Sequence, residues 1–161
     1  MNQILEETDN TAQNFDIRKI VVAVDLSKHS KMTAAYAAEF AKSFGASITL
    51  VHSFAPERIT EFTTEEVHER YEEELQATER DLGKLADAVR KTYPDCDIEF
   101  RVGDPAEQVT LAAKDLDADL IITASHHPGF LGRLFGIDQA PRILHRTQCP
   151  VLVYHEGKDS V

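Results

Sequence analysis

The stretch "RKIVVAVDLSKHSKMTAAYAAEFAKSFGASITLVHSF", residues 18–54, decides the fold. Its first seven residues, "RKIVVAV" (18–24), are β-branched and continuously apolar, as a strand covered on both faces should be. The segment "SKHSKMTAAYAAEFAKSFG" is rich in alanine, spaces its apolar residues as a helix does, and stops at Gly45. "ASITLVHSF" (46–54) is a second strand. A strand, a helix and a second strand in immediate succession make a βαβ unit, which implies a parallel sheet and a right-handed crossover.

The pattern repeats to the end of the chain. Val67, Tyr71, Leu75, Thr78, Leu82, Leu85 and Val89, spaced by four and three, mark one stripe of a long helix. "CDIEFRV" (96–102) reads as a third strand. "DPAEQVTLAAKDLD" follows, with Asp104 placed to cap a helix and Pro105 at its first position. "DLIITA" (119–124) is a fourth strand, "DQAPRILHRTQ" a helix with Pro141 in its first turn, and "PVLVYH" (150–155) a fifth strand. The expectation is one doubly wound α/β domain over residues 17–156, with a polar leader at 1–16 and a short tail at 157–161.

Composition narrows the function. The chain has 161 residues, 42% hydrophobic and 28% charged, enough for one domain with a full core. Its apolar runs are only a few residues long, against the roughly 20 that a membrane span needs. The leader "MNQILEETDNTAQNFD" has neither the basic region nor the apolar core of a secretory signal. Two cysteines, Cys96 and Cys149, form no CxxC pair, which fits a reducing compartment and buried apolar filler. A cytoplasmic location is expected. The formal net charge of −11 opposes binding to nucleic acid or to anionic membranes, but not a small anion held by backbone N–H groups. Glu65, Glu66, Glu69, Glu72, Glu73 and Glu74 crowd the start of the long helix and read as a solvated face aided by the helix dipole.

In an open parallel sheet, ligands bind beyond the carboxyl ends of the strands, where strand order reverses. The first strand exits at Asp25, which suits either a ligand contact or a turn tied down by backbone N–H groups, and Ser27 or Ser30 is placed to cap the next helix. His52 lies within the second strand and reads as a packed residue. The fourth strand ends near Thr123 and enters "ASHHPGFLGRLFG" (124–136). There Gly129, Gly132 and Gly136 could bring bare backbone to a phosphate, beside Ala124, Ser125, His126 and His127. A β-carbon at Ala124 narrows that approach, and His127 either fills the phosphate's place or, protonated, attracts it. No metal is expected, because His126 and His127 are adjacent and project differently, with no third ligand in step. The chain contains no GxSxG, GxxxxGK[ST] or HExxH, and no acid–base pair stands out, so an enzyme is not expected; weak nucleotide hydrolysis through Asp25 is the one activity left open.

Four segments together, "RKIVVAVDLSKHS", "GASITLVHSF", "VGDPAEQVTLAAKDLDADLIITASHH" and "CPVLVYH", resemble the universal stress protein family, of the universal stress protein A type, over residues 17–155. The resemblance implies a five-stranded parallel sheet of order 3-2-1-4-5 with helices on both faces. It also implies a homodimer joined through the last strand, by Val151, Leu152, Val153 and Tyr154, and a stress-response role through protein partners. The family's ATP-binding branch carries G-x-x-G, nine residues, then G-[ST]. On this chain the first two glycines fall on Ala124 and His127, and the final pair falls at Gly136-Ile137 or Ile137-Asp138. Asp25 matches the family's aspartate, and Val24 and Ile48 are placed to pack against a base. ATP is therefore the one cofactor that the resemblance brings in, with a degenerate phosphate loop against it.

Overall fold

β1 (Lys19–Ala23) is the centre of the molecule: Ile20, Val21 and Val22 are at most 1% exposed, as expected of a strand covered from both sides. A computed structural model describes residues 16–55, 64–125 and 138–155. After β1 come α1 (Ser30–Lys42), β2 (Ser47–Phe54), α2 (Thr64–Arg90), β3 (Cys96–Val102), α3 (Pro105–Asp115), β4 (Leu120–Ser125), α4 (Gln139–Arg146) and β5 (Val151–His155). The five strands form one sheet in the order β3-β2-β1-β4-β5, and every pairing is parallel. Strand order reverses between β1 and β4, which pair from Ile20↔Leu120 to Val22↔Ile122.

Alternation along the strands divides the core into two layers. Ile20, Val22, Val24, Ile48, Leu50 and Ile122 join the inner faces of α1 and α2 on one side of the sheet. Val21, Val51 and Ile121 join those of α3 and α4 on the other. The alanines of α1 at 34, 37, 38 and 41 are all buried, which lets that helix lie close to the sheet.

Helix boundaries follow their chemistry with one exception. Asp104 caps α3 by accepting from Glu107 N at 3.0 Å, with Pro105 behind it, and Gly45 takes the left-handed φ of +64° after α1. The exception is the start of α1, where neither Ser27 nor Ser30 acts as the cap: His29 holds that position, and its side chain makes no capping hydrogen bond to the helix. Asp25 takes the Ser30 hydroxyl and the Ser27 N–H, as described below. The long stripe also behaves unevenly. Leu82, Leu85 and Val89 are buried, whereas Val67, Tyr71, Leu75 and Thr78 are half-buried, because only the second half of α2 lies flat on the sheet core. The six glutamates at its start are exposed. Among the described residues, no helix is long and apolar enough to cross a membrane.

Candidate ligand crevice at the carboxyl ends of the strands

Parallel strands have a polarity, and it sorts the sequence-derived residues into two ends of the sheet. Asp25 leaves β1 at its carboxyl end; Thr123, Ala124 and Ser125 close β4 at the same end. The last rung joining these strands is Val22↔Ile122, so their exits flank the switch point. Val24 is 6% exposed and its N–H donates to Val51 O at 3.0 Å, so it is locked to β2 beside the crevice. His126, His127, Gly129, Gly132 and Gly136 lie outside the described residues.

Ile48 does not belong to this group. It is the second residue of β2, 1% exposed, and pairs with Ile20 at the amino end of the sheet. Four residues at ~3.3 Å each separate it from the level of His52, about 13 Å along the strand. Its place as a base-packing residue is corrected to core packing under α1 and α2.

Polar groups at the carboxyl edge are engaged with one another. A single oxygen of Asp25, Oδ1, accepts from Ser27 N at 2.9 Å and from Ser30 Oγ at 2.8 Å. Both are local, and the side chain thereby ties down the turn between β1 and α1. Leu26, inside that turn, has a φ of +62°, a backbone conformation that a branched residue adopts only when its surroundings enforce it. Ser125 Oγ donates to Asp138 Oδ2 at 3.1 Å, while Asp138 Oδ1 caps α4 by accepting from Ala140 N at 3.1 Å. One carboxylate thus joins the end of β4 to the start of α4.

Sequence reasoning missed how much of this edge belongs to β2 and β3. His52 Nδ1 lies 2.8 Å from the Val24 carbonyl, which can only accept, so Nδ1 carries the hydrogen. Burial pushes the His52 pKa down, against the opposing pull of that hydrogen bond and of the Asp25 charge. The imidazole is therefore neutral, with its hydrogen directed at the strand that carries Asp25. Ser53 is 7% exposed and donates to Gly103 O at 2.8 Å. Gly103 has a φ of +139°, and Asp104 beside it accepts from Arg142 Nη2 of α4 at 2.7 Å. Burial raises the Asp104 pKa, but Arg142 and the Glu107 N–H outweigh it and hold the carboxyl below its ordinary value. Spacing offered no signal for the Asp104–Arg142 pair, since its members lie 38 residues apart and meet only through the packing of α3 on α4.

The cysteines sit away from this edge. Cys96 is 3% exposed at the amino end of β3, and burial pushes its pKa up to about 11; burial also raises Cys149. Both are poor nucleophiles in the folded protein.

Comparison with known proteins matches this architecture. The model of the universal stress protein family matches residues 16–155. A universal stress protein of Thermus aquaticus, encoded in a QAH/OAS sulfhydrylase 3′ region, is 30% identical over 138 residues, covering 84% of this chain and 97% of its own. A universal stress protein solved in complex with cAMP superposes with a TM-score of 0.66 at 19% identity, over 87% of this chain and 98% of that one. The universal stress protein of Archaeoglobus fulgidus, in complex with dAMP, gives 0.58 at 22% identity, over 86% and 98%. With one family model spanning nearly the whole described chain and a curated relative aligned from end to end, this protein belongs to the universal stress protein family.

Proposed function

We propose that this chain is a non-enzymatic stress-response protein that acts as a homodimer through protein partners and grips no triphosphate tightly. The observation that supports this reading best is the mutual engagement of polar groups at the carboxyl edge: Asp25 with Ser27 and Ser30, and Ser125 with Asp138. A ligand using those groups must first displace an existing bond, and the β-carbon of Ala124 at the β4 exit reduces the bare backbone left for phosphate. Isothermal titration with ATP and Mg²⁺ tests it: heats at background level are expected, and micromolar binding overturns it.

A difference between the two sheet edges supports pairing through β5. β3 presents Asp97, Glu99 and Arg101 along its length, the kind of charge that deters pairing. β5 carries none from Val151 to Tyr154. The Pro150 carbonyl accepts from Ile121 N, so by alternation the N–H and C=O groups of Val151 and Val153 point away from β4. An isologous antiparallel pairing centred on Val153 would satisfy them.

A second reading, an adenine-nucleotide switch, is favoured by the reversal of strand order between β1 and β4 and by the cAMP and dAMP bound to the two structural relatives. Both ligands carry a single phosphate and need less main chain than ATP does. Titration with AMP and cAMP in parallel with ATP separates the readings. Micromolar affinity for a monophosphate, falling with rising pH and losing that dependence in His127→Ala, supports the switch; no heat with any of the three rules it out.

A further inference from the structure

Among the described residues, β3 leaves one side of its backbone without a partner strand. Ile48 N donates to Asp95 O and Gly103 N to Phe54 O, so the odd-numbered residues of this strand face β2. By alternation the N–H and C=O groups of Ile98, Phe100 and Val102 point outward, along about 13 Å of edge. The amino end of the edge is already closed. Cys96 N donates to Pro94 O at 2.9 Å, and Cys96 O accepts from Arg90 Nε at 2.7 Å.

The same alternation sorts the side chains of this edge by chemistry. Ile98 and Val102 are 38% and 46% exposed on the α2 side, to either side of Phe100, whose ring stacks on Phe54 at 6.4 Å. Tyr71 of α2 meets Phe54 edge-on at 5.6 Å and backs this apolar strip. On the α3 side stand Asp97, which is exposed, and Glu99, with Asp115 of α3 beside them. Arg101 is held by Glu99 and Asp115 together, so carboxylates outnumber guanidinium on that face.

We propose that this edge docks an extended segment of a partner protein in which apolar and basic side chains alternate. The proposal rests on the reading that the chain works through protein partners, and it names the chemistry of one. A strand added to β3 draws its main-chain bonds from Ile98, Phe100 and Val102. Its side chains on one face lie against Ile98 and Val102, and those on the other meet Asp97 and Glu99. Charge selects the occupant. Carboxylate opposite carboxylate destabilises a cross-strand pair, so the charges that deter a second acidic edge attract lysine or arginine. The formal net charge of −11 adds a long-range pull of the same sign.

The probe is a synthetic peptide of about seven residues, acetylated and amidated, that alternates lysine and valine. Amide exchange of the whole chain, followed residue by residue by NMR, reads the docked edge. The expected result is a Kd below ~1 mM and, at saturating peptide, exchange slowed at least ~5-fold at Ile98, Phe100 and Val102. Asp97, Glu99 and Arg101 should not change, because β2 already holds their N–H groups. A glutamate–valine peptide, and one with the same lysines and valines in two blocks, should each bind at least ~10-fold more weakly. Asp97→Lys, at an exposed position, should weaken the lysine–valine peptide at least ~3-fold. The proposal is overturned by no binding at ~1 mM peptide, by equal binding of the glutamate–valine peptide, or by protection on the glutamates of α2 with none at Ile98, Phe100 and Val102. Each of those results leaves the partner reading and its ATP titration standing. Micromolar ATP binding overturns that reading and leaves the alternating protection in place.

Discussion

Replacing Asp25 by alanine separates a turn-holding aspartate from a ligand-holding one, and the structure sets the size of the effect. Oδ1 accepts both Ser27 N and Ser30 Oγ. Ser30 is 5% exposed, so its hydroxyl loses its acceptor in a place water reaches poorly, which costs about 1–3 kcal/mol. The Ser27 N–H is better solvated and its loss costs ~0.5 kcal/mol or less. Asp25→Ala should therefore destabilise the protein by about 2 kcal/mol, a fall in Tm of roughly 4–8 °C for a domain of this size. Asp25→Asn keeps one carbonyl oxygen where Oδ1 stands, and one oxygen is what both donors use. It should cost less than ~1 kcal/mol. Differential scanning calorimetry in the absence of nucleotide reads both. A Tm for Asp25→Ala within 1 °C of wild type, or Asp25→Asn as damaging as Asp25→Ala, refutes the reasoning: the first because the turn did not need the side chain, the second because it needed the charge rather than the oxygen.

Four further outcomes follow from the packing and the titrating groups. Leu82 is fully buried between α2 and the sheet, and Leu82→Ala should cost about 3 kcal/mol in a urea titration with m unchanged. Gly103→Ala should cost ~2 kcal/mol by the same measurement, since its φ of +139° is strained for any β-carbon and that carbon would meet Gln108 Nε2 at 3.0 Å. His52 is held below its ordinary value of 6.5, chiefly by burial, so the unfolded chain binds the extra proton as pH falls below that value. Its contribution to stability is present above pH 6.5 and declines below it; His52→Gln should flatten that slope, read as the difference between the two proteins' stability–pH curves. Cys96, pushed up to about 11, should resist a thiol-labelling reagent at pH 8 until the protein is unfolded by guanidinium.

The parallel order, the alternation of elements and the caps at Asp104 and Gly45 were legible because each rests on local chemistry: β-branched runs, an Asp-Pro pair, a glycine after a helical stripe. Register was not legible. Val24 and Ile48 are both apolar and both on the α1–α2 side of the sheet, so alternation alone made them equivalent. Only the pairing Ile20↔Ile48 shows that β2 begins where β1 begins, which puts Ile48 at the wrong end for a ligand and His52 at the right one. The serines after β1 show a different gap. Capping rules favour Ser at a helix start, but Asp25, two and five residues away, takes the Ser27 N–H and the Ser30 hydroxyl, while the Ser27 hydroxyl accepts from His29 N at 3.3 Å. Ring contacts such as Tyr36 on Tyr154 join residues over a hundred positions apart, and no periodicity announces them.

Among the described residues, the polar side chains at the carboxyl edge of this sheet form a set of closed pairs. Asp25 holds two serines, His52 the Val24 carbonyl, Ser53 the Gly103 carbonyl, Ser125 is clasped by Asp138, and Asp104 is paired with Arg142. Each bond is worth about 1 kcal/mol net, a factor of roughly five in an equilibrium constant. A ligand that displaces two of them without replacing them would lose about 25-fold in affinity before any contact of its own is counted. Among the described residues, a nucleotide that leaves them intact finds main-chain N–H groups and apolar contact, and at residue 124 the β4 exit offers it a methyl group. The same five pairs join β1, β2, β4 and the starts of α1, α3 and α4 into one connected rim, so loosening any one of them reaches the next element along the edge.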